Sequence, residues 1–255
     1  MLAIPVDILE EILEHVRIAD LATICRVNKT CCYYAQNVLY RKIDKGDKRA
    51  IQTLALSTDL ARRVRSFETD CDCEELATAL ENMSSLRRLN LECNDADSSV
   101  LDECTFKLDS FACTFEYTES LRDFLYSQSS LTEFTNIVGF GPTPSYEERF
   151  LPNLTRVRTE PCWARILIPG RPVREVMVAD PRFEEDPVDF SIFTLSTAPI
   201  RKLHTTYRLL YPTPGSHLAS IFPSLEHLTI EAQYRSWDVR IPLLYLSITG
   251  VNARR

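Results

Sequence analysis

The stretch LRRLNLECN, residues 86–94, carries a spacing that recurs through most of the chain. Leucines occupy its first, fourth and sixth positions, and an asparagine occupies its ninth. Side chains alternate across a β-strand, so the fourth and sixth residues point to one side and their neighbours to the other. The stretch therefore predicts a short strand with one apolar, inward face.

Shorter copies of the first six positions occur eight more times. They begin at Val64, Leu108, Leu131, Leu154, Val173, Ile200, Leu225 and Leu243. Successive starts, including the one at residue 86, lie about 18 to 27 residues apart. One six-residue match carries no weight, but nine at near-constant spacing resemble the leucine-rich repeat, whose units span roughly 20 to 29 residues. Each unit of that repeat gives one strand to a shared parallel sheet.

The segments between the copies are expected to return the chain on the outer face. Residues 73–83 and 117–128 have helical leucine spacing, whereas 139–146 and 181–187 are loops by their glycines and prolines. We therefore expect an α/β fold in which an irregular solenoid of about nine repeats forms one parallel sheet. Its inward residues should be nearly fully buried: Leu89, Leu91, Leu203, Leu228, Ile230 and Leu246.

The N-terminus follows a different pattern. In IPVDILEEILEHV, residues 4–16, Pro5 suits a first helical position, and the apolar residues fall on one helical stripe: Ile8, Leu9, Ile12, Leu13 and Val16. Asp20 is expected to cap a second helix, and a third should run from about Thr30 to Tyr40. Three short helices make a very small core, so this stripe is expected to pack on a partner. The alternative is a helical cap that covers the end of the repeat array.

These N-terminal residues resemble the F-box family. Residues 4–13 are similar to its opening, leucine-proline-x-acid followed by paired aliphatics, although Ile4 replaces the usual leucine. Residues 20–29 resemble its second segment without the tryptophan often found nearby, and LYRKI, residues 39–43, resembles its closing signature. The predicted organisation is an F-box-like three-helix unit at 1–43, a linker with a first helical segment at 44–63, and the repeats at 64–255.

The resemblance to F-box/leucine-rich-repeat proteins implies a non-catalytic subunit of an SCF-type ubiquitin ligase. The F-box would bind a Skp-type adaptor, and through it a cullin scaffold, while the repeats would bind a protein substrate. The implied adaptor-binding residues are Ile4, Pro5, Ile8, Leu9, Ile12, Leu13, Val16, Leu21 and Ile24. The mechanism would be proximity, because the complex raises the local concentration of substrate lysines. Two alternatives remain: a repeat scaffold outside any ligase, and a receptor whose repeats hold a small molecule.

The substrate site is expected on the strand face opposite the inward leucines. The residues predicted there are Arg88, Asn90, Glu92, Arg156, Arg158, Lys202, His204 and His227. Four of these are cationic, and Arg156 and Arg158 should share one face because they lie two residues apart. Arginine forks bind carboxylates and phosphates well, which favours an acidic or phosphorylated substrate segment. The alternative is a solvated strand face without a ligand.

Composition and motifs narrow the classes of function. The net charge of -7 argues against nucleic-acid binding and against docking on an anionic membrane. No apolar run approaches the roughly 20 residues that span a bilayer, and no signal peptide is apparent, so we expect a cytoplasmic or nuclear protein. The Cys71-x-Cys73 pair lacks the second pair of a zinc site, and we expect neither metal nor cofactor. No catalytic motif appears, and His204 and His227 are expected to be surface residues on neighbouring strands.

Overall fold

The computed structural model of the chain describes residues 5–93, 97–136, 151–179, 189–210, 215–232 and 244–249. The chain divides into two compact units, Met1–Leu108 and Asp109–Arg255. Each unit combines helices with parallel strands, so the predicted α/β class is confirmed. In the part of the chain that the structure describes, every helix is too short or too polar to cross a lipid bilayer.

The first unit begins with three helices, α1 (Val6–Glu14), α2 (Ile18–Ile24) and α3 (Lys29–Leu39). The Asn28 side chain caps α3 by accepting a hydrogen bond from the Cys31 N–H at 2.8 Å. The prediction that Asp20 caps α2 is wrong, because the helix begins two residues earlier. Asp20 lies instead in the first turn, where the helix dipole favours an acid, and it accepts a hydrogen bond from Arg17 Nε at 2.8 Å.

The rest of the first unit alternates strands and helices. Its elements are β1 (Lys42–Ile43), α4 (Lys48–Leu56), α5 (Thr58–Ala61), β2 (Ser66–Thr69), α6 (Leu76–Asn82), β3 (Arg88–Leu91) and a 3₁₀ helix (Ser98–Leu101). β1 pairs in parallel with β2, and β2 with β3. The predicted linker therefore follows a short strand, β1, that the sequence did not predict.

A glycine between β1 and α4 permits close packing beneath this sheet. A Cβ atom on Gly46 would lie 2.7 Å from the ring of Phe67, closer than real Cβ contacts allow. The Gly46 N–H donates to the Glu68 carbonyl at 2.7 Å, and its own carbonyl accepts from Thr69 Oγ1 at 2.6 Å. The turn is thus fastened to β2, and any side chain at residue 46 would displace Phe67.

The second unit continues the alternation. Its elements are β4 (Ser110–Cys113), α7 (Glu119–Ser127), β5 (Glu133–Asn136), β6 (Arg156–Thr159), α8 (Pro161–Leu167), β7 (Glu175–Val178), a 3₁₀ helix (Phe190–Leu195), β8 (Lys202–Thr206), α9 (Tyr207–Leu210), α10 (Gly215–Ile221), β9 (His227–Ala232) and β10 (Leu244–Thr249). Strands β4 to β9 pair in parallel, each with the next. The final strand, β10, runs antiparallel to β9.

The antiparallel β10 corrects the expectation that all repeat strands run parallel. Parallel neighbours need a crossover of a dozen or more residues, whereas antiparallel neighbours can follow each other directly. Residues 233–243 are all that separates β9 from β10. The six-residue pattern locates a strand but contains nothing that fixes its direction.

The strand positions themselves are confirmed. Each of the nine copies of the pattern gives one strand, and in eight cases the strand begins two residues after the copy starts. The first residue of each copy from 64 to 225 is buried, with at most 7% exposure. Burial of these first residues holds the segment before each strand against the core.

The fourth positions of the copies form an apolar column in the core, whereas the sixth positions include buried polar side chains, among them Thr69, Asn136 and Thr159. In the second unit, Phe134 packs against Phe111 and Trp163, with ring centroids 5.9 and 5.7 Å apart. The burial predicted for Leu89, Leu91 and Leu203 is confirmed. The same prediction is wrong for Leu228 and Ile230, which are only partly buried, and the side chain of Leu246 lies outside the described residues. Burial requires a covering segment, which a strand pattern does not specify.

Candidate functional site

Strand register in the second unit aligns five side chains across five neighbouring strands. Glu133, Arg156, Glu175, Lys202 and His227 occupy equivalent positions on β5 to β9, each opposite the next. Because parallel strands in register carry equivalent residues on the same face, these side chains form one row. We call these five residues the charged row.

Within the charged row, the positive and negative side chains form ion pairs with one another. Arg156 Nη1 lies 2.7 Å from Glu133 Oε1, and Arg156 Nε lies 3.3 Å from Glu175 Oε2. Lys202 Nζ lies 2.8 Å from the other oxygen of Glu175. These side chains are a third to a half or more exposed, so each pair adds about 0 to 1 kcal/mol to stability. Their main consequence is that both cations already have carboxylate partners.

A second row lies two residues further along the same strands. It consists of Thr135, Arg158, Met177, His204 and Thr229, again each opposite the next, and we call it the mixed row. Arg158 is exposed, and within the described part of the chain no carboxylate forms an ion pair with it. Met177 is partly buried beside it.

His204 holds an unusual place in the mixed row. Its Nε2 atom lies 3.6 Å from Glu231 Oε2, too far for a hydrogen bond. That nitrogen is buried, and among the described residues it has no hydrogen-bond partner. His204 therefore presents a polar atom that a ligand or a small shift of Glu231 would satisfy.

The two rows line an open groove of about 340 Å³. Its volume falls at the lower end of the range of small-ligand pockets. Three cations and two carboxylates face it. His204 and His227 lie on adjacent strands as predicted, but only His227 is an exposed surface residue, since His204 is partly buried. A groove of this kind can recognise charged groups by ion pairing, and Met177 offers an apolar contact.

Five of the eight predicted substrate-binding residues meet in this groove: Arg156, Arg158, Lys202, His204 and His227. The other three lie in the first unit, where Arg88 and Asn90 are on β3 and Glu92 follows it. There, Asn90 Nδ2 donates to Glu92 Oε1 at 3.2 Å. The substrate-binding role of all eight remains a prediction.

Two groove residues, Glu133 and Glu175, were missed from the sequence. They occupy the third position of their copies of the pattern, the position that Arg156 and Lys202 occupy in the neighbouring copies. Alignment of the copies would have shown acid and base alternating at that position. The expected excess of positive charge on this face is therefore largely cancelled.

The helical segment, residues 5–40, presents a different surface. Leu13, Leu21 and Ala35 form its core, and the residues that pack partly against them include Leu9, Val16 and Ile24. Pro5, Ile8 and Ile12 lie on the neighbouring face of α1, and these two isoleucines are 47% and 49% exposed. The predicted stripe thus divides between a core face and an outward face, since α2 and α3 cover only the first. Ile4 lies outside the described residues.

An arginine fastens the helical segment to the residues that follow it. Arg63 Nη1 donates to the Tyr33 carbonyl at 2.9 Å and also to the Asn37 side chain. Its guanidinium lies 4.5 Å from the centre of the Tyr33 ring, a cation–π contact. Arg41, two residues after α3, pairs with Glu14 at the end of α1. These contacts orient α3 relative to α5 and to the first strands of the same unit.

Three of the nine cysteines have strongly raised pKa values. Burial, aided at Cys93 and Cys104 by nearby acids, raises the pKa of Cys93, Cys104 and Cys113 to about 12. At neutral pH these thiols are protonated, and it is the thiolate that binds metals or attacks. Among the described residues, no three His, Cys, Asp or Glu side chains are placed to hold a metal ion.

No protein-family model matches this chain, and no curated protein matches it either. The resemblance of residues 4–43 to the F-box, and of the nine copies to the leucine-rich repeat, therefore rests on the residues themselves.

Proposed function

We propose that this chain is the substrate-recognition subunit of an SCF-type ubiquitin ligase. Residues 1–43 serve as an F-box-like unit that binds a Skp-type adaptor and, through it, a cullin scaffold. The irregular leucine-rich-repeat array that follows binds a protein substrate and catalyses nothing itself. The observation that carries this proposal is the exposed apolar face of α1, formed by Pro5, Ile8 and Ile12, within the F-box-like sequence.

The exposed face of α1 supports docking on energetic grounds. Burying an isoleucine side chain completely contributes about 1.5 to 3 kcal/mol, and these two isoleucines retain about half of their exposure in the free chain. Val6 adds a third aliphatic side chain at 46% exposure. A cluster of aliphatic side chains on one short helix is a typical centre for an interface formed with a partner groove.

The attachment of the helical segment supports a proximity mechanism. A ligase subunit without chemistry of its own acts by holding its substrate at a defined position. Arg63 joins α3 to the chain after α5, and the backbone N–H groups of Arg65 and Ser66 donate to the Arg41 carbonyl at 2.9 and 3.1 Å. The proposed adaptor surface is therefore tied to the first strands of the same unit.

The test is co-purification of a Skp-type adaptor with the full chain carrying Ile8→Asp and Ile12→Asp. Charges at these positions should abolish binding, because burial of an unpaired carboxylate is costly. Leu9 also belongs to the predicted stripe, but it packs partly against the core, so Leu9→Asp would mix loss of binding with unfolding.

The matched control places the same charges on exposed leucines elsewhere. Leu56 and Leu195 are 89% and 57% exposed, so Leu56→Asp with Leu195→Asp should leave adaptor binding intact. Circular dichroism would verify that both double variants remain folded. Undiminished binding by the folded Ile8/Ile12 variant would contradict the F-box-like assignment and leave a repeat scaffold outside any ligase.

A further inference from the structure

We infer that the groove over β5 to β9 selects a single carboxylate next to an apolar side chain, and that it disfavours phosphate groups. This inference rests on the proposed function, since it names the class of substrate that the array would recognise. The carboxylate can come from an acidic side chain or from the end of a chain. Both sources present the same planar, singly charged group to the protein.

The two cations of the charged row are already paired with carboxylates. Arg156 lies between the carboxylates of Glu133 and Glu175, and Lys202 contacts Glu175 as well. A ligand anion that used either cation would have to displace one of these carboxylates. Neither side chain therefore gives the groove much affinity for anions.

Arg158 is available to bind an anion. It faces the groove, it is exposed, and among the described residues it has no carboxylate partner. A guanidinium matches a carboxylate in shape, since two parallel N–H groups meet two oxygens. One such fork neutralises one negative charge, so Arg158 is matched to a monoanion.

Met177 provides an apolar contact next to Arg158. It lies directly opposite Arg158 on the next strand, at a separation of about 5 Å between strands. A ligand whose carboxylate binds Arg158 therefore places an adjacent side chain over Met177. The flexible, polarizable thioether adapts to aliphatic and aromatic groups of different shape. Arg158 and Met177 together would bind a carboxylate and the apolar side chain next to it.

Ligands with more than one negative charge fit this groove less well. A phosphate dianion on Arg158 would keep one uncompensated charge in the groove. The charged row lies two residues back along the same strands, about 7 Å, and its two carboxylates are paired with Arg156 and Lys202, so it supplies no second free cation. Known phosphate-recognition sites of proteins use clusters of arginines. Among the described residues that line this groove, Arg158 is the one guanidinium without a carboxylate partner.

The experiment uses methionine methyl groups as reporters. The chain has three methionines; Met177 lines the groove, and the fully buried Met83 in the first unit serves as an internal control for folding. The chain labelled with ¹³C-methyl methionine would be titrated with four N-acetylated hexapeptides, of which the first three are also amidated at the C-terminus, and the titrations followed by NMR. One carries glutamate beside leucine, one glutamine beside leucine, one phosphoserine beside leucine, and one a free carboxylate on a C-terminal leucine.

We expect the Met177 resonance, but not that of Met83, to move with the glutamate peptide or with the free-carboxylate peptide. The stronger of the two identifies the source of the carboxylate. Arg158→Gln should weaken that binding about tenfold or more, the usual effect of losing one charge-assisted pair. Arg165→Gln is the matched control, because Arg165 is an exposed arginine on α8 outside the groove and should change nothing.

A second variant tests the inference in the opposite direction. Glu175→Gln removes the carboxylate that Lys202 and Arg156 share, so the phosphoserine peptide should gain about tenfold in affinity. The inference is overturned if the unmodified chain binds the phosphoserine peptide more tightly than the glutamate peptide. It is also overturned if Arg158→Gln has no effect with Met83 unshifted, or if no peptide moves Met177. Adaptor binding is measured separately with the Ile8/Ile12 variant, so failure of either proposal is distinguishable from failure of the other.

Discussion

The helical segment and the groove face of the second unit expose opposite kinds of surface. On α1, Ile8 and Ile12 are about half exposed above a core of Leu13, Leu21 and Ala35. The groove instead presents charged side chains that pair with one another over long columns of buried residues. The first region has little core and an apolar surface, so a partner would add to its stability. The second has its own core and can use its surface for selectivity.

The largest expected effect tests the core beneath the groove. Phe134→Ala should lower the free energy of unfolding by about 3 to 5 kcal/mol, because it leaves a cavity against Phe111 and Trp163. Urea denaturation followed by fluorescence and hydrogen exchange would measure it. The control is Thr135→Ala. Thr135 follows Phe134 but faces the groove, so this change should lower the free energy of unfolding far less. Equal losses would mean that the two strand faces do not differ as described.

The next effect tests the small core of the helical segment. Leu13→Ala should cost about 2 to 5 kcal/mol locally, enough to unfold α1 to α3 without unfolding the second unit. Ile12→Ala, the adjacent exposed residue, should change stability by less than about 0.5 kcal/mol. Hydrogen exchange of the backbone amides of residues 5–40 would measure the difference between the two variants. Comparable loss of protection in both variants would refute the division of α1 into a core face and an outward face.

A smaller effect concerns the pH dependence of stability that comes from the buried thiol of Cys113 on β4. Burial raises the pKa of Cys113 from 9.0 to about 12, so between these values the folded chain holds a proton that the unfolded chain has released. Stability should therefore fall as pH rises above 9, by about 1 kcal/mol at pH 10 from this thiol. Cys113→Ala should make the loss between pH 9 and 10 shallower in urea titrations. An unchanged slope would mean that this thiol does not titrate with unfolding.

The smallest expected effect concerns the charged row. Glu175→Gln removes two partly exposed ion pairs, and such pairs contribute about 0 to 1 kcal/mol each. Thermal unfolding should shift by only a few degrees, with Glu119→Gln on α7, which removes another exposed pair, as the comparison. A large loss of stability would show that the row is structural, and its proposed role in anion selection would then be secondary.

Much of the strand architecture was predictable because it depends on local alternation. The copies beginning at Val64 and Leu154, like the other seven, each gave a strand where expected, and Leu89 and Leu203 point inward as their positions require. The exceptions involve contacts between distant segments. β1 was missed because two residues are too few to show alternation, and its pairing with β2 brings together residues more than twenty positions apart.

The candidate groove was predictable only in part. Its cations were identified from single copies of the pattern, but the carboxylates that neutralise them belong to neighbouring copies. Whether Arg156 is available to a ligand depends on Glu133 and Glu175, which lie on the strands on either side. A charge count within one six-residue copy could not show this.

The sequence by itself determined where nine of the ten described strands lie and which of their side chains alternate toward the core, because alternation and apolar spacing act over a few residues. It also predicted three N-terminal helices, with the bounds of α3 correct to one residue, whereas α2 begins three residues before the start predicted from Asp20. Only the tertiary structure decided the antiparallel direction of β10, the outward face of α1 and the compensation of Arg156 and Lys202. Each of these depends on which segments become neighbours in space, and ion pairing and burial are properties of neighbours rather than of single residues.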